Sequence, residues 1–282
     1  LSFLPLNTLY KLFTGVLNER ILFSIQPMWN NIYAQRGAKR ALSGCKESLL
    51  VDRCVLRDSI QYHRNLSVAW VDYRKAFDST SHELIFLLLE CLEVEENIVR
   101  CLKDLAPLWR TRFTITSGGG QLTSGLVQYK RGVFQGDTLS PLLFCISLMP
   151  ISVALDHVGG YKAGKPMPGE IEHRKHKISH IFYMDDLKLF ASDSRQLKLM
   201  LDVVAVYSRA VGMSFGLDKC AVFHMKRGKI GDEMGDMQLV DGSVIRHLGA
   251  EESYKYLGFN QRSVTDSGTV KETLRKEYRR LL

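Results

Sequence analysis

The sequence has little that would staple or anchor a fold from outside. Its six cysteines (Cys45, Cys54, Cys91, Cys101, Cys145, Cys220) form no Cys-x-x-Cys pair and follow no regular spacing. That excludes a disulfide framework and reads as reduced thiols in an intracellular chain, most of them in apolar or helical stretches where cysteine acts as a small hydrophobe. A secretory signal is missing too: Lys11 and Glu19 interrupt the amphipathic opening and no small-residue cleavage site follows. The first residue is Leu1 rather than methionine, which reads as a fragment or a processed segment. There is no internal repeat and no low-complexity segment. Thr138 to Leu155 lacks charge altogether, but Pro141, Pro150 and several hydroxyl residues break it and Asp137 and Asp156 bound it. A buried core helix is expected there rather than a membrane span.

What is present fits an ordinary folded chain: 282 residues, 45% hydrophobic and 24% charged. A chain of that length buries roughly three quarters of its unfolded surface, as one large domain or two modest ones. The net charge of +8 favours a polyanionic partner without proving one.

Periodicity predicts an amphipathic helix over Pro5 to Ile25, a basic stretch at Gln35 to Ala41, and a helix over Lys46 to His63. Leu66 to Tyr73 alternates and should be a strand. Helices are expected over Ser81 to Glu90 and Glu96 to Trp109, then a hairpin formed by Arg112 to Thr116 and Leu122 to Tyr129 around the glycines 118–120. After the uncharged helix, Gly159 to Lys177 reads as a surface loop. Ile178 to Tyr183 and Leu187 to Ala191 read as short strands flanking Met184, Asp185 and Asp186. Ser194 to Val211 is a helix stopping at Gly212. A strand at Cys220 to Met225, a hairpin at Met237 to His247 turning at Asp241-Gly242, a last strand at Tyr254 to Phe259 and a basic helix at Lys271 to Leu282 complete the chain. The middle therefore reads as α+β, a β-α-β-β-α-β antiparallel sheet backed by helices.

Asp185 and Asp186 are adjacent acids at a tight turn, and aspartate is a favoured turn residue in its own right. Two anions in a partly dry setting repel, and a divalent cation with hard oxygen ligands relieves this. Asp72 ends the apolar run Val68 to Val71. If that strand neighbours the Asp185-Asp186 hairpin, three carboxylates converge as a two-metal nucleotidyl transferase needs.

Val71-Asp72-Tyr73-Arg74-Lys75-Ala76-Phe77-Asp78 resembles motif A of reverse transcriptases. Arg131 to Pro141, with Gln135-Gly136, resembles motif B, and Phe182-Tyr183-Met184-Asp185-Asp186 motif C. Gly212 to Lys219 resembles motif D, and Tyr254 to Gly258 the primer grip. Their order is the family's, and the resemblance is to reverse transcriptases of non-long-terminal-repeat (LINE-type) retrotransposons. It implies a right-hand polymerase fold: fingers at 1–66, palm at 67–260 with a fingers insertion at about 97–135, and the start of a thumb or connector at 261–282.

The same resemblance implies that Asp72, Asp185 and Asp186 hold two Mg²⁺ ions, with Mn²⁺ a possible substitute and the Tyr73 carbonyl assisting. Phe77 falls at the steric gate against ribonucleotides. Gln135 and Gly136 fall where the nucleotide and template are contacted, and Lys219 where a proton passes to pyrophosphate. Tyr256, Leu257 and Gly258 fall in the primer grip. The implied partners are an RNA template, a DNA primer and deoxynucleoside triphosphates, and the implied place of action is the nucleus. One departure is in the fingers, where Lys39, followed by Arg40, stands for the usual arginine at the triphosphate; the two side chains are not interchangeable there. A decayed or domesticated copy that binds nucleic acid without polymerising is the alternative, and an RNA-directed RNA polymerase is disfavoured by Phe77. His173, His176 and His180 read as a solvated basic loop, and Cys220 with His224 as half a zinc site. Arg209, Lys226, Arg227 and Lys229 are candidate backbone contacts, and Asp78 a helix cap.

Overall fold

The computed structural model describes residues 7–31, 34–39, 43–117, 120–164, 176–230, 235–249 and 252–262. Arg40, His173 and the basic helix expected at Lys271 to Leu282 lie outside them. In chain order the helices are α1 (Thr8–Asn31), α2 (Cys45–Gln61), α3 (Ala76–Ser79), α4 (His82–Cys91), α5 (Glu96–Leu105), α6 (Ser140–Val158) and α7 (Ser194–Ala210). The strands run from β1 (Leu66–Val71) through the short pairs β2 (Arg110–Thr111) with β5 (Val127–Gln128), β3 (Thr114–Ser117) with β4 (Gly120–Thr123), and β6 (Tyr161–Ala163) with β7 (His176–Ile178). They continue with β8 (His180–Tyr183), β9 (Asp186–Ala191), β10 (Ala221–Lys226), β11 (Lys229–Ile230), β12 (Met237–Gln238), β13 (Val244–His247), β14 (Ser253–Tyr256) and β15 (Phe259–Arg262).

The central sheet has the order β12-β13-β10-β1-β9-β8, and β1 pairs antiparallel with both β9 and β10. Taking β1, β8, β9 and β10 as first to fourth, their spatial order is 4-1-3-2, the antiparallel β-α-β-β-α-β arrangement expected from the sequence. Both faces of the sheet are covered, so its strands read as near-continuous apolar runs. The period of two sorts them. Ala69, Val71, Leu187, Leu189 and Val222 face α4, α6 and α7, while Val68, Trp70, Phe190, Ala221 and Phe223 face α2 and the β14–β15 hairpin.

The uncharged segment is α6, buried along most of its length, with Phe144, Ile146 and Ile151 wholly covered. By length and composition it could cross a membrane; it serves as the core helix. Pro141 sits in its first turn, where the missing N–H costs nothing.

Several expectations need correction. Tyr254 to Phe259 is a hairpin rather than one strand, turning at Leu257 and Gly258. The segment 159–177 is bracketed by the β6–β7 pair, because the apolar Tyr161 and Ile178 are drawn onto the sheet. Asp78 lies inside α3, and the cap of α4 is Ser81, whose hydroxyl accepts the Leu84 N–H.

His180, expected with His173 and His176 in a solvated basic loop, is instead buried in β8, where the apolar strand draws it inward, and His224 is buried in β10. His180 contacts the Ser152 and Ser179 hydroxyls, and His224 contacts the Ser67 hydroxyl and stacks on His247. Burial pushes both imidazoles down to about 4. A histidine whose folded pKa lies below its unfolded one leaves the unfolded chain binding more protons between the two values, so stability falls as pH drops from about 6.5 toward 4. Asp186, raised in the fold, acts in the opposite sense, so a difference measurement isolates the histidine. The stability advantage of wild type over His224→Gln should shrink by about 2 kcal/mol between pH 7 and 4.5. Chemical denaturation at several pH values reads it, and an advantage independent of pH would remove the assignment.

Candidate active site

Strand register brings the acids together. Trp70 pairs with Lys188 and Val71 with Leu187, so continuing the ladder sets Asp72 opposite Asp186. Side chains directly opposite on one face stand about 5 Å apart at Cβ. Asp185 sits next door in the two-residue turn between β8 and β9, where Met184 takes a positive φ of 56°.

The electrostatics follow from that placement. Burial raises the Asp185 carboxyl above the usual range, with Asp72 adding to it. Burial, then Asp185 and Asp72, push Asp186 up to about 6. Lys219 opposes both shifts and puts its Nζ 3.5 Å from Asp72 Oδ1. A hard divalent cation suits this donor set, since all donors are carboxylate oxygens and their mutual repulsion is what it would cancel. The carboxylates share a field without yet sharing a point: among the described residues, no three His, Cys, Asp or Glu side chains are gathered to hold an ion. The donors fit an ion by their chemistry.

The neighbouring strands fix these acids. The Gly216 N–H donates to the Asp72 carbonyl at 2.8 Å and the Arg74 N–H to the Ser214 carbonyl at 2.9 Å, which ties the segment ending at Lys219 alongside Asp72. Tyr73 is buried, its hydroxyl 3.0 Å from Ser208 Oγ and its ring against Phe215. On the outer edge, Ala34 to Arg36 pairs with β8 through Phe182. Gln35 Oε1 accepts the N–H groups of Gly37 and Met184 at 2.8 and 3.2 Å and so clamps the acid turn. A Cβ at Gly37 would lie 2.4 Å from Met184 Sδ and 2.9 Å from its backbone nitrogen, which is why glycine stands there.

The remaining predicted residues divide. Lys39 lies over the Trp29 ring at 5.7 Å, and it and Asp185 both act on the Cys145 thiol, so it borders the acids. Phe77 is half-buried and stacks on Phe144 with ring centroids 4.4 Å apart. Gln135 and Gly136 are exposed in the loop before α6, and Gly136 takes a positive φ of 92°. Tyr256 is 2% exposed and belongs to the core, while Leu257 and Gly258 form the turn. His176 is exposed at the start of β7, in a strand rather than a loop. Sequence reasoning missed Asp52, Lys188 and Gln261, which meet behind the acids; the one available signal was a lysine inside the apolar run Leu187 to Ala191.

The sheet order and the acid-bearing hairpin define the palm of a right-hand polymerase. Solved structures agree on the fold: apo telomerase from Candida tropicalis, truncated from its C-terminal domain, superposes with a TM-score of 0.55 at 13% identity over 84% of this chain and 45% of that one. Telomerase from Candida albicans, solved with a TWJ fragment of telomeric RNA, gives 0.54 at 15% identity over 96% of this chain and 43% of that one. Residues 5–261 match the family model "Reverse transcriptase (RNA-dependent DNA polymerase)", and the chain belongs to that family.

Sequence relatives are retrovirus-related Pol polyproteins of R2 retrotransposable elements. That of the type-2 element R2DM of Drosophila melanogaster is 29% identical over 77% of this chain and 20% of its own length. One from Popillia japonica is 32% identical over 66% of this chain and 24% of its own length. These relatives bear out the resemblance to the non-long-terminal-repeat branch. The chain spans about a fifth to a third of the relatives it matches.

Proposed function

We propose that this chain is the catalytic core of an RNA-directed DNA polymerase that adds deoxynucleotides to a DNA primer on an RNA template. The observation that carries the reading is the β1–β9 register, which ends at Val71 opposite Leu187 and so leads Asp72 toward Asp186, with Asp186 pushed up to about 6 by burial and the two other carboxylates. Asp72, Asp185 and Asp186 would hold two Mg²⁺ ions. When bound, the ions activate the 3′-hydroxyl and neutralise the triphosphate.

The chain's own residues do the rest. Lys219, exposed beside Asp72, donates a proton to the leaving pyrophosphate. Lys39 and Arg40 contact the triphosphate, Gln135 and Gly136 the nucleotide and template strand, and Phe77 walls off a 2′-hydroxyl. Leu257 and Gly258 support the primer terminus, with Tyr256 anchoring them from below. The fingers at 1–66, the palm at 67–260 and a thumb beginning at 261 belong to this same reading, as does action in the nucleus, where a chromosomal target would supply the primer. Membership of a family described as RNA-dependent DNA polymerases supports an RNA template.

The test is extension of a DNA primer annealed to RNA, with deoxy- and ribonucleotides in parallel lanes. Extension with deoxynucleotides alone, dependent on Mg²⁺ or Mn²⁺, is expected. Equal use of ribonucleotides would overturn the substrate assignment. Tight, salt-sensitive binding without extension would favour a binding protein.

A further inference from the structure

Behind the acids, two residue pairs further along the register, Lys188 is 2% exposed inside an otherwise apolar strand. Its ammonium reaches Asp52 of α2 at 2.5 Å and donates to Gln261 Oε1 at 3.0 Å. The same group lies over the Trp70 ring at 4.4 Å and the Tyr256 ring at 4.9 Å, so ring faces complete its shell. Gln261 Nε2 then donates to Asp52 Oδ2 at 2.6 Å and closes the circuit. Neither Trp70 Nε1 nor Tyr256 Oη finds a hydrogen-bond partner among the described residues, an unusual cost for buried polar atoms; the rings are kept for their faces.

Three separate elements meet here: α2 through Asp52, the acid-bearing strands through Trp70 and Lys188, and the β14–β15 hairpin through Tyr256 and Gln261. The hairpin is tied to the acids at a second point. Tyr254 stacks on Trp70 at 4.7 Å and donates its hydroxyl proton to the Lys219 carbonyl at 2.6 Å. Its turn carries two consecutive positive φ values, 47° at Leu257 and 84° at Gly258. A leucine there is strained, and such a conformation persists only where the surroundings over-determine it.

We infer that the Asp52–Lys188–Gln261 circuit, clasped by Trp70 and Tyr256, is a positioning device that sets the height of the Leu257-Gly258 turn over the acids and thereby places the primer end. This rests on the primer-grip reading of that turn. A buried ion pair is rarely retained for stability, since apolar replacement of both partners is often neutral or stabilising; its use is to specify one arrangement. Asp52, Lys188 and Gln261 are positioning residues and touch no substrate.

The test measures binding of the full chain, by fluorescence anisotropy, to a labelled RNA with and without an annealed DNA primer. The ratio of the two affinities is the primer-dependent gain. In the double variant Asp52→Leu with Lys188→Met, the melting temperature should stay at or above wild type and affinity for RNA alone should hold. The primer-dependent gain should fall about tenfold, the loss expected for one charged hydrogen bond. Gln261→Leu, which severs the hairpin from Asp52 but leaves the ion pair, should lower the gain about fivefold in the same way and serves if the double variant does not fold.

Leu257→Asp separates the two ideas. If it abolishes the gain while the double variant and Gln261→Leu keep it, the positioning inference fails and the primer grip stands. If wild type shows no gain, or Leu257→Asp leaves it intact, the primer-grip reading fails and takes this inference with it. A double variant that loses affinity for RNA alone to the same degree also overturns the inference, because the circuit would then be general scaffolding.

Discussion

Asp185→Asn is expected to abolish primer extension and, in the same protein, to raise the melting temperature. The rate loss should be on the order of a thousandfold, because a missing ligand forfeits several kcal/mol of charge stabilisation at the reacting phosphate and each 1.36 kcal/mol is about a factor of ten. The gain in stability has a separate origin. Burial and the nearby Asp72 hold the Asp185 carboxyl above its usual range. Its ionised form is therefore worse placed in the fold than in the unfolded chain, and stability is lost as pH rises through that range. Asparagine keeps the shape and removes the charge. At neutral pH it thus relieves the cost of burying a charge, to which the nearby Asp72 adds. Single-turnover extension and a thermal melt of one preparation read both effects. Retained extension would sink the two-ion assignment, and a lower melting temperature would sink the account of the buried charge.

Much of this was legible because strands report their faces. Val68 to Val71 is apolar throughout and Leu187 to Ala191 is apolar but for Lys188, the signature of strands covered on both sides, and Asp72 falls where the first of them ends. Once the β-α-β-β-α-β order is inferred, β1 must neighbour β9, and an acid at the end of one meets the acids at the start of the other. What escaped reading depended on partners far away in sequence. Lys188 looks like an exception to an apolar run until Asp52 and Gln261 are seen against it. The turn at Leu257-Gly258 was hidden because leucine is a poor marker for a positive φ, and only tertiary contacts hold it there. Asp78 and Ser81 both suit a cap, and which of them meets a free N–H is decided by where α3 ends, a boundary that local propensity does not set. Tyr256 carried a motif position and a core position at once, and only the packing separates its anchoring role from the turn beside it.

Replacing Phe77 with valine should widen nucleotide choice more than it slows deoxynucleotide addition. The ring is half-buried and backed by Phe144, which is wholly buried in α6, with centroids 4.4 Å apart and planes inclined by 13°. A side chain braced in this way cannot swing aside for an extra hydroxyl. Discrimination against ribonucleotides should therefore drop by about tenfold to a hundredfold, the range that a single packing mismatch of 1–3 kcal/mol allows. Loss of the stack should cost about 1 kcal/mol of stability, which a melt will register. The bracing makes a sharper test than the gate alone. Phe144→Leu leaves Phe77 in place but removes the flat surface behind it, so ribonucleotide use should rise by about threefold to tenfold, a fraction of the full mismatch, although residue 144 meets no substrate. Competition between matched deoxy- and ribonucleotides on one template measures both variants. If Phe77→Val leaves the ratio unchanged, the residue is an ordinary core phenylalanine. If Phe77→Val shifts the ratio and Phe144→Leu does not, the gate holds its place by its own backbone, through the Val133 N–H donated to the Phe77 carbonyl at 3.0 Å, rather than by the ring behind it.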